Sequence, residues 1–570
     1  MKKRVLALIV VLSMLLVVLA GCGSGDQSSE EPAEPAAPAE PAEPAEPAEP
    51  AEPAEPAEED LTVTGIDKTA GFDLPLCEEK TTFTVFVPDA PFLYMVVESM
   101  DEIDELCGAT ITMEEMTNIH LEFTRASDAS SQLPIVIASG DYPDMFWQCL
   151  NYYTSGVSQL VEDEVVQVLT DYMDQLPHYQ ALLDADDQLR RDATNISGDI
   201  VSLYTIKTDL EKQNQGMAVR KDWCDQLGLT ADDFITYQDF HDYLVQAKEQ
   251  FGGLYYPTSW IFTNGGNMSA GYEINLAAGS TSYGLYHVGE EVRFGYTQPE
   301  AKELVSMMAD WYAEGLFVPE YMNASSDRDQ DKAILVGQGA GYYLGAGQIT
   351  EYTNLADEGF ELMPIRQPVS DPSMEKIKLF NAETRLADSL EVSTKVEDLE
   401  LLLKWIDFGY TEYASTVWTY GTEGIHWDYD ENGQPQYHDI VINNPDIAEV
   451  MFAVALYAST DAGPHTKYTF CLDSTYAENR LAATAYWDQF CDYENCYNMP
   501  AKLSVKPEDA AEFSALWGEL QTLIAENLGQ FVTGAKSMDE WDAFVAQLKE
   551  FKIDRVVEMW QAAYDAYLAL

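Results

Sequence analysis

Residues 61–570 predict an α/β body of two domains. Short β-type runs alternate with helical stripes, which indicates largely parallel sheets. The stretch holds about 510 residues, more than one ordinary core accommodates. Aromatic residues make up 12% of the chain, so the apolar material for two cores is present.

The elements follow in order. Thr81-Thr82-Phe83-Thr84-Val85-Phe86-Val87-Pro88 alternates apolar positions and ends at proline, so it reads as a first strand. Ile119 to Phe123 is a second. Leu133 to Ala138 is apolar and helical, and it runs into the turn Ser139-Gly140-Asp141-Tyr142-Pro143-Asp144. Met145-Phe146-Trp147 is then a short buried strand, and Ile334 to Val336 a later one. Thr297-Gln298-Pro299-Glu300 opens a helix with a cap, a proline in the first turn and an early acid. Leu304, Val305, Met308, Trp311 and Tyr312 form its stripe, and Gly315 ends it. Ser537-Met538-Asp539-Glu540 is a capping box ahead of Trp541, Phe544, Val545 and Leu548. Val556, Val557, Trp560 and Tyr564 mark a last amphipathic helix.

Ahead of the body lie two segments of another kind. Met1-Lys2-Lys3-Arg4 is basic, and Val5 to Ala20 is apolar except for Ser13, so residues 1–21 read as a signal peptide. The apolar run is shorter than the roughly 20 residues that span a bilayer. Cys22 directly follows Leu19-Ala20-Gly21, and this arrangement resembles a bacterial lipoprotein signal. The resemblance implies that the Cys22 thiol is lipidated and becomes the N-terminus, holding the chain at the extracytoplasmic face of the cell membrane. Residues 22–60 then form a stalk. From 31 to 58 it is a Glu-Pro-Ala repeat without aromatic, branched aliphatic or basic residues, unable to bury enough surface to order itself. Proline and repelling glutamates extend it, with a reach on the order of 100 Å.

The formal net charge is −67. With the leader's three positive and the stalk's thirteen negative charges set aside, the body carries −57. That excludes nucleic acid, whose binding needs basic patches, and disfavours a polyanionic ligand. If Cys22 is acylated, seven cysteines remain, an odd number that leaves at least one free thiol in a single chain; Cys491 and Cys496 are near enough in sequence for a local bridge. Gly337-Gln338-Gly339-Ala340-Gly341 lacks the final glycine and later acid of a dinucleotide loop. The histidines are scattered, with no zinc spacing. Asp428, Asp430, Asn432 and Asp439 meet calcium-loop spacing, except that Asp439 replaces the usual bidentate glutamate. Asn432-Gly433, set between Trp427-Asp428-Tyr429 and Gln436-Tyr437, is also a hairpin signal and is the preferred reading. No metal and no cofactor are expected.

Four stretches, taken together and in order, resemble the extracellular solute-binding proteins of ABC importers, of the carbohydrate type related to maltodextrin-binding protein. They are Glu115-Met116-Thr117-Asn118-Ile119-His120, Ile137-Ala138-Ser139-Gly140-Asp141-Tyr142-Pro143-Asp144-Met145-Phe146, Asp310-Trp311-Tyr312-Ala313-Glu314-Gly315-Leu316 and Tyr420-Gly421-Thr422-Glu423-Gly424-Ile425-His426-Trp427. The resemblance implies a two-lobe fold of the periplasmic-binding-protein kind, with a hinge and a ligand cleft. Lobe 1 would hold 61–205 and 367–448, and lobe 2 would hold 206–366 and 449–570. It implies a monomeric, non-catalytic protein that captures an oligosaccharide and delivers it to membrane permease subunits. Two alternatives stay open: a peptide-binding importer component, and a secreted carbohydrate-active enzyme.

Sugars present apolar C–H faces and polar rims, which suit aromatic rings beside amides or carboxylates. The resemblance places Trp147, Gln148, Tyr152 and Tyr153 at the cleft edge after the Gly-Asp-x-Pro-Asp turn. From the other lobe it points to Tyr343 and Gln348, and more loosely to Trp260. Glu423 and Trp427 are expected near the cleft or hinge, with a structural turn the equal alternative.

Overall fold

The computed structural model describes residues 62–63, 66–89, 105–149, 152–153, 156–208, 213–255, 267–277, 283–318, 337–357, 359–380, 384–431, 433–445, 447, 450–458, 463–468 and 477–570. The expected signal peptide, Cys22, the stalk, the Ile334–Val336 run, Trp260, Asn432 and Cys471 lie outside them. Among the described residues no helix is long and apolar enough to cross a membrane.

The run read as the first strand, Thr81–Pro88, pairs in parallel with Ile119–Ala126 along all eight residues. Phe83, Val85 and Val87 enter one core and Phe86 another, so the strand is buried on both faces. The helix expected at Leu133 begins earlier, at Ala129, because the Asp128 carboxylate caps it by accepting the Ser131 N–H; Gly140 closes it at φ 71°. Asp144 then fixes the next strand. Its carboxylate accepts the N–H and the hydroxyl of Thr84, both at 2.8 Å, and its own N–H donates to Thr84 Oγ1. Met145–Trp147 is thereby held beside Val85 and Phe86.

Six strands make the first sheet, in the order Thr466–Lys467, Ser202–Lys207, Leu386–Val392, Met145–Trp147, Thr81–Pro88, Ile119–Ala126. Leu386–Val392 runs antiparallel to both neighbours, and the other five strands share one direction. The second sheet has four strands, in the order Leu362–Ile365, Gln215–Arg220, Gly339–Gly345, Leu254–Tyr255. Gln215–Arg220 is the antiparallel member. The chain crosses between the sheets through 208–214, 366–385 and 468–477. The first two crossings each enter the antiparallel strand of the receiving sheet, at its amino end. That end lies on the edge where the other strands have their carboxyl ends, so the sheets are linked edge to edge there. Open α/β sheets place their ligand crevices outside such ends.

Each sheet has its own core. Phe83, Val85, Trp147, Leu390, Trp405, Trp418 and Trp427 belong to the first. Met217, Tyr243, Tyr255, Trp311, Trp517, Phe544 and Trp560 belong to the second. The expected lobe boundary at 448 falls too early. Ala453, Val454 and Leu456 are buried in the first core, and Thr466 pairs with Ile206, so the chain stays with the first sheet to Lys467.

The later helices follow their expected patterns. Pro299–Ala313 buries Leu304, Val305, Met308 and Trp311, although its cap residue, Gln298, makes no side-chain capping bond. Ser537 and Glu540 form the expected box, which opens a short 3-10 turn before the helix Trp541–Glu550. Ile553–Ala569 buries Val556, Trp560 and Tyr564.

Candidate functional site

A pocket opens at the crevice edge of the second sheet. It is lined by Tyr343, Phe380, Trp487 and Phe490, by the amides Gln213, Gln215 and Gln367, and by Gly216, Met217, Ile377 and Cys491. Gln215 starts one strand and pairs with Gly345 at the end of another, and two residues further in Tyr343 pairs with Met217 and is buried in the floor. Trp487 stands near the end of the helix Glu478–Asp488, and its indole N–H donates to the Met217 carbonyl at 3.0 Å. The ring lies against Gly216, where any Cβ would come within 2.5 Å of it, so this strand position requires glycine.

Phe490 is partly exposed, and the Arg366 guanidinium covers one side of its ring at 4.9 Å. Arg366 is itself engaged, donating to the Met374 and Glu375 carbonyls at 2.7 and 3.3 Å. Phe380 meets Tyr493 edge to face at 4.9 Å. The Tyr493 hydroxyl donates to Asp488 and accepts the Gln213 N–H at 3.0 Å. Gln213 is buried: its amide nitrogen donates to the Gln215 carbonyl at 2.6 Å, and its Oε1 has no hydrogen-bond partner. Burial pushes the Tyr343 phenol up, and the Cys491 thiol up to about 12. Among the described residues the lining itself therefore holds no ionised group at neutral pH, and the Arg366 guanidinium stands beside it over Phe490. The chemistry of the lining is flat rings beside neutral amides.

Of the residues chosen from sequence, Tyr343 is the one this pocket contains. Trp147 is 3% exposed and packs edge to face on Phe123 and Trp418, at 5.6 and 5.9 Å; it is a core residue, not a cleft platform. Gln148, the next residue, leaves the sheet at φ 55° and donates its N–H to the Ser389 carbonyl. It stands at the carboxyl end of its strand, as expected. Tyr152 is exposed, while Tyr153 packs partly buried against the small core that holds Phe146. Gln348 caps a helix, accepting the Gly345 N–H at 2.8 Å and donating to the Tyr352 hydroxyl. Glu423 accepts the Tyr413 hydroxyl at 2.6 Å and pairs with Lys68 at 3.1 Å, in a clasp on the first core. Trp427 is fully buried and donates to the Gly421 carbonyl, so it is structural.

The Trp427–Tyr429 and Pro435–Tyr437 strands pair as the hairpin reading expects. Asp428 meets His438 at 3.0 Å, Asp430 accepts the Gln434 N–H, and Asp439 accepts the Asn443 amide at the start of a short helix. Among the described residues these carboxylates take partners within and beside the hairpin; Asn432, the remaining loop position, lies outside them. Cys491 and Cys496 are free thiols and form no bridge. Trp487, Phe490 and the three glutamines were missed. The density of rings at Tyr486, Trp487, Phe490 and Tyr493 was the available signal, but only the crossings show that it meets the 213–217 and 366–380 segments.

A second cleft lies where Pro500–Ser504 and Tyr567 meet Asp192–Ile196, Ser202 and Tyr204. Lys502 donates to the Ala387 carbonyl at 3.0 Å and lies over the Tyr204 ring; Tyr567 donates to Asp192 and accepts from Gln188. Behind this cleft, Glu391 is fully buried in the first sheet, opposite Phe146 and Ser202. Burial raises its carboxyl to about 7, although the Ser389 and Ser202 hydroxyls and the Lys502 ammonium pull it back part of the way. Burial also lowers Lys502.

The family described as bacterial extracellular solute-binding protein matches residues 98–412. The fructooligosaccharide ABC transporter substrate-binding protein FusA of Streptococcus pneumoniae serotype 4 is 22% identical over 543 residues, covering 88% of this chain and 93% of its own. Among solved structures, the alginate-binding protein AlgQ2 without calcium ion aligns with a TM-score of 0.66 at 17% identity, over 86% of this chain and 99% of that one. An HMO-binding, ABC-transporter-associated solute-binding protein from Bifidobacterium longum infantis gives 0.66 at 16%, with the same coverage. FusA in complex with kestose gives 0.64 at 17%, again over 86% and 99%.

Proposed function

The chain belongs to the bacterial extracellular solute-binding proteins, and from that premise we propose that it captures an oligosaccharide and hands it to an ABC importer without transforming it. The observation that carries this is the uncharged ring-and-amide pocket at the crevice edge of the second sheet. Tyr343 and Trp487 form its buried floor, and Phe490 supplies accessible ring surface beside Gln213 and Gln367. A glycosidase needs two carboxyl groups flanking the scissile bond; among the described residues this lining contains none. The reading includes two lobes closing on the ligand, since contacts from both favour the closed state.

Titration with a glycan panel tests this. One oligosaccharide is expected to bind stoichiometrically and to be recovered unchanged, with ligand-induced compaction in solution scattering. Phe490→Ala should weaken binding by roughly 1–3 kcal/mol, the scale of an interface aromatic, with little change in melting temperature. Multiple turnovers of a cleaved product would sink the binding reading, and capture of peptides in place of glycans would transfer it to a peptide importer.

The proposal extends to placement. Lipidation at Cys22, after removal of residues 1–21, would hold a monomeric body outside the cell membrane on its stalk, beside permease subunits. The order of a basic start, an apolar run, small residues and Cys22 supports this. Cys22→Ala is expected to release the protein to the medium or to leave an uncleaved precursor. Undiminished acylation in that variant would rule the anchor out.

A further inference from the structure

We propose that Tyr493 is the positioning residue of this pocket: from outside the lining, it holds in register Gln213 and Phe380, two lining residues that arrive on different crossings between the sheets. This deepens the oligosaccharide reading and rests on it.

The pocket wall is drawn from stretches far apart in sequence, within 213–217, 367–380 and 487–491, with Tyr343 in its floor. The second and third stretches are joined through the backbone. The Ile377 N–H donates to the Phe490 carbonyl at 2.8 Å, and the Asp492 N–H donates to the Ile377 carbonyl at 2.9 Å. The first stretch is tied to the third by the Trp487 indole on the Met217 carbonyl, inside the sheet. In the crossing itself the tie is Tyr493, whose hydroxyl accepts the Gln213 N–H at 3.0 Å.

Asp488 fixes the role of that hydroxyl. A phenol carries one proton, and the Asp488 carboxylate accepts it at 2.7 Å, so the oxygen is left to accept from Gln213. Burial and the bonded carboxylate push the phenol up, which keeps the proton in place at neutral pH. The ring meanwhile stands edge to face on Phe380 at 4.9 Å. Gln213 and Phe380 are both buried, so a shift of either reshapes the wall. Tyr493 is 43% exposed and belongs to neither main core, so its loss costs the fold little.

Tyr493→Phe keeps the ring on Phe380 and removes the acceptor. The buried Gln213 N–H then lacks a partner, and its crossing shifts until that group reaches water. A sugar that fits the parent wall must reverse the shift, so the cost falls on affinity.

The test compares the full chain with its Tyr493→Phe and Tyr493→Leu variants. Amide hydrogen exchange, measured without any sugar, should show Gln213 exchanging about tenfold faster in Tyr493→Phe. Calorimetric titration uses neutral di- to pentasaccharides of glucose, galactose, mannose and fructose. Whichever of them the parent binds should be held about tenfold more weakly by Tyr493→Phe, and more weakly again by Tyr493→Leu, at unchanged stoichiometry and nearly unchanged melting temperature.

A purely structural tyrosine would instead lower the melting temperature and leave the affinity of the folded protein intact. That result overturns the proposal, as does Gln213 exchange that is the same in Tyr493→Phe and the parent; the oligosaccharide reading survives both. Binding of none of these sugars by the parent overturns that reading, and this inference with it.

Discussion

Trp147→Ala is expected to cost about 3–5 kcal/mol of stability, as deletion of a buried tryptophan does. It should leave the ligand affinity of the folded protein unchanged. The indole is 3% exposed and lies between Phe123 and Trp418 in the first core, away from the pocket. Its N–H is buried without a hydrogen-bond partner, so Trp147→Phe should be far milder than the alanine. Denaturant titration alongside ligand titration separates the outcomes. Lost binding at unchanged stability would return this residue to the site.

Glu391→Gln is expected to remove a large part of the pH dependence of stability. Burial carries this carboxyl from an ordinary 4.5 to about 7, a change worth roughly 3 kcal/mol. The folded state therefore binds the proton more tightly than the unfolded state does. Below about 4.5 both states are protonated and nothing is lost; as pH rises to about 7, stability falls. The variant lacks that fall, so its advantage over the parent should grow across this window and level off above it.

Lys502→Met should act the other way. Without the ammonium, Glu391 holds its proton to higher pH and the fall extends upward, while Asp388 still repels the ionised form. His426 runs opposite to Glu391. Burial lowers it to about 4, so its contribution rises with pH between 4 and 6.5, and it partly masks the Glu391 slope in the parent protein. Difference curves cancel it. Parallel curves for Glu391→Gln and its parent would show that the carboxyl is ionised at ordinary pH.

Much of the fold was legible because local chemistry and burial agree. Thr81–Pro88 alternates, Asp144 locks the strand that its turn announces, and Ser537 with Glu540 makes the box its sequence spells. The site was less legible, for a reason visible at Met145–Trp147. That strand is buried on both faces, Met145 and Trp147 in one core and Phe146 in another, so an all-apolar run gives no sign of which side looks where. The family motif located the strand end correctly, but the first residue to leave the sheet is Gln148, not Trp147. Gln348 and Glu423 have suitable chemistry for a ligand, yet neighbouring hydrogen bonds engage both. The pocket itself joins Gln213, Tyr343, Gln367 and Trp487, which approach only because of the crossings. No local pattern marks such a meeting.

The central position of Leu386–Val392 in the first sheet also sets an order of events during synthesis. It alone joins Met145–Trp147 to Ser202–Lys207. A chain made from its N-terminus thus holds two unjoined half-sheets until residue 392 has emerged, and the Thr466–Lys467 edge comes later still. Pairings this distant in sequence must close long loops before they gain contacts, so folding is slow and the open strand edges persist while it proceeds. The part of the polypeptide that builds this sheet thus stays threadable through a membrane channel until residue 392 has emerged.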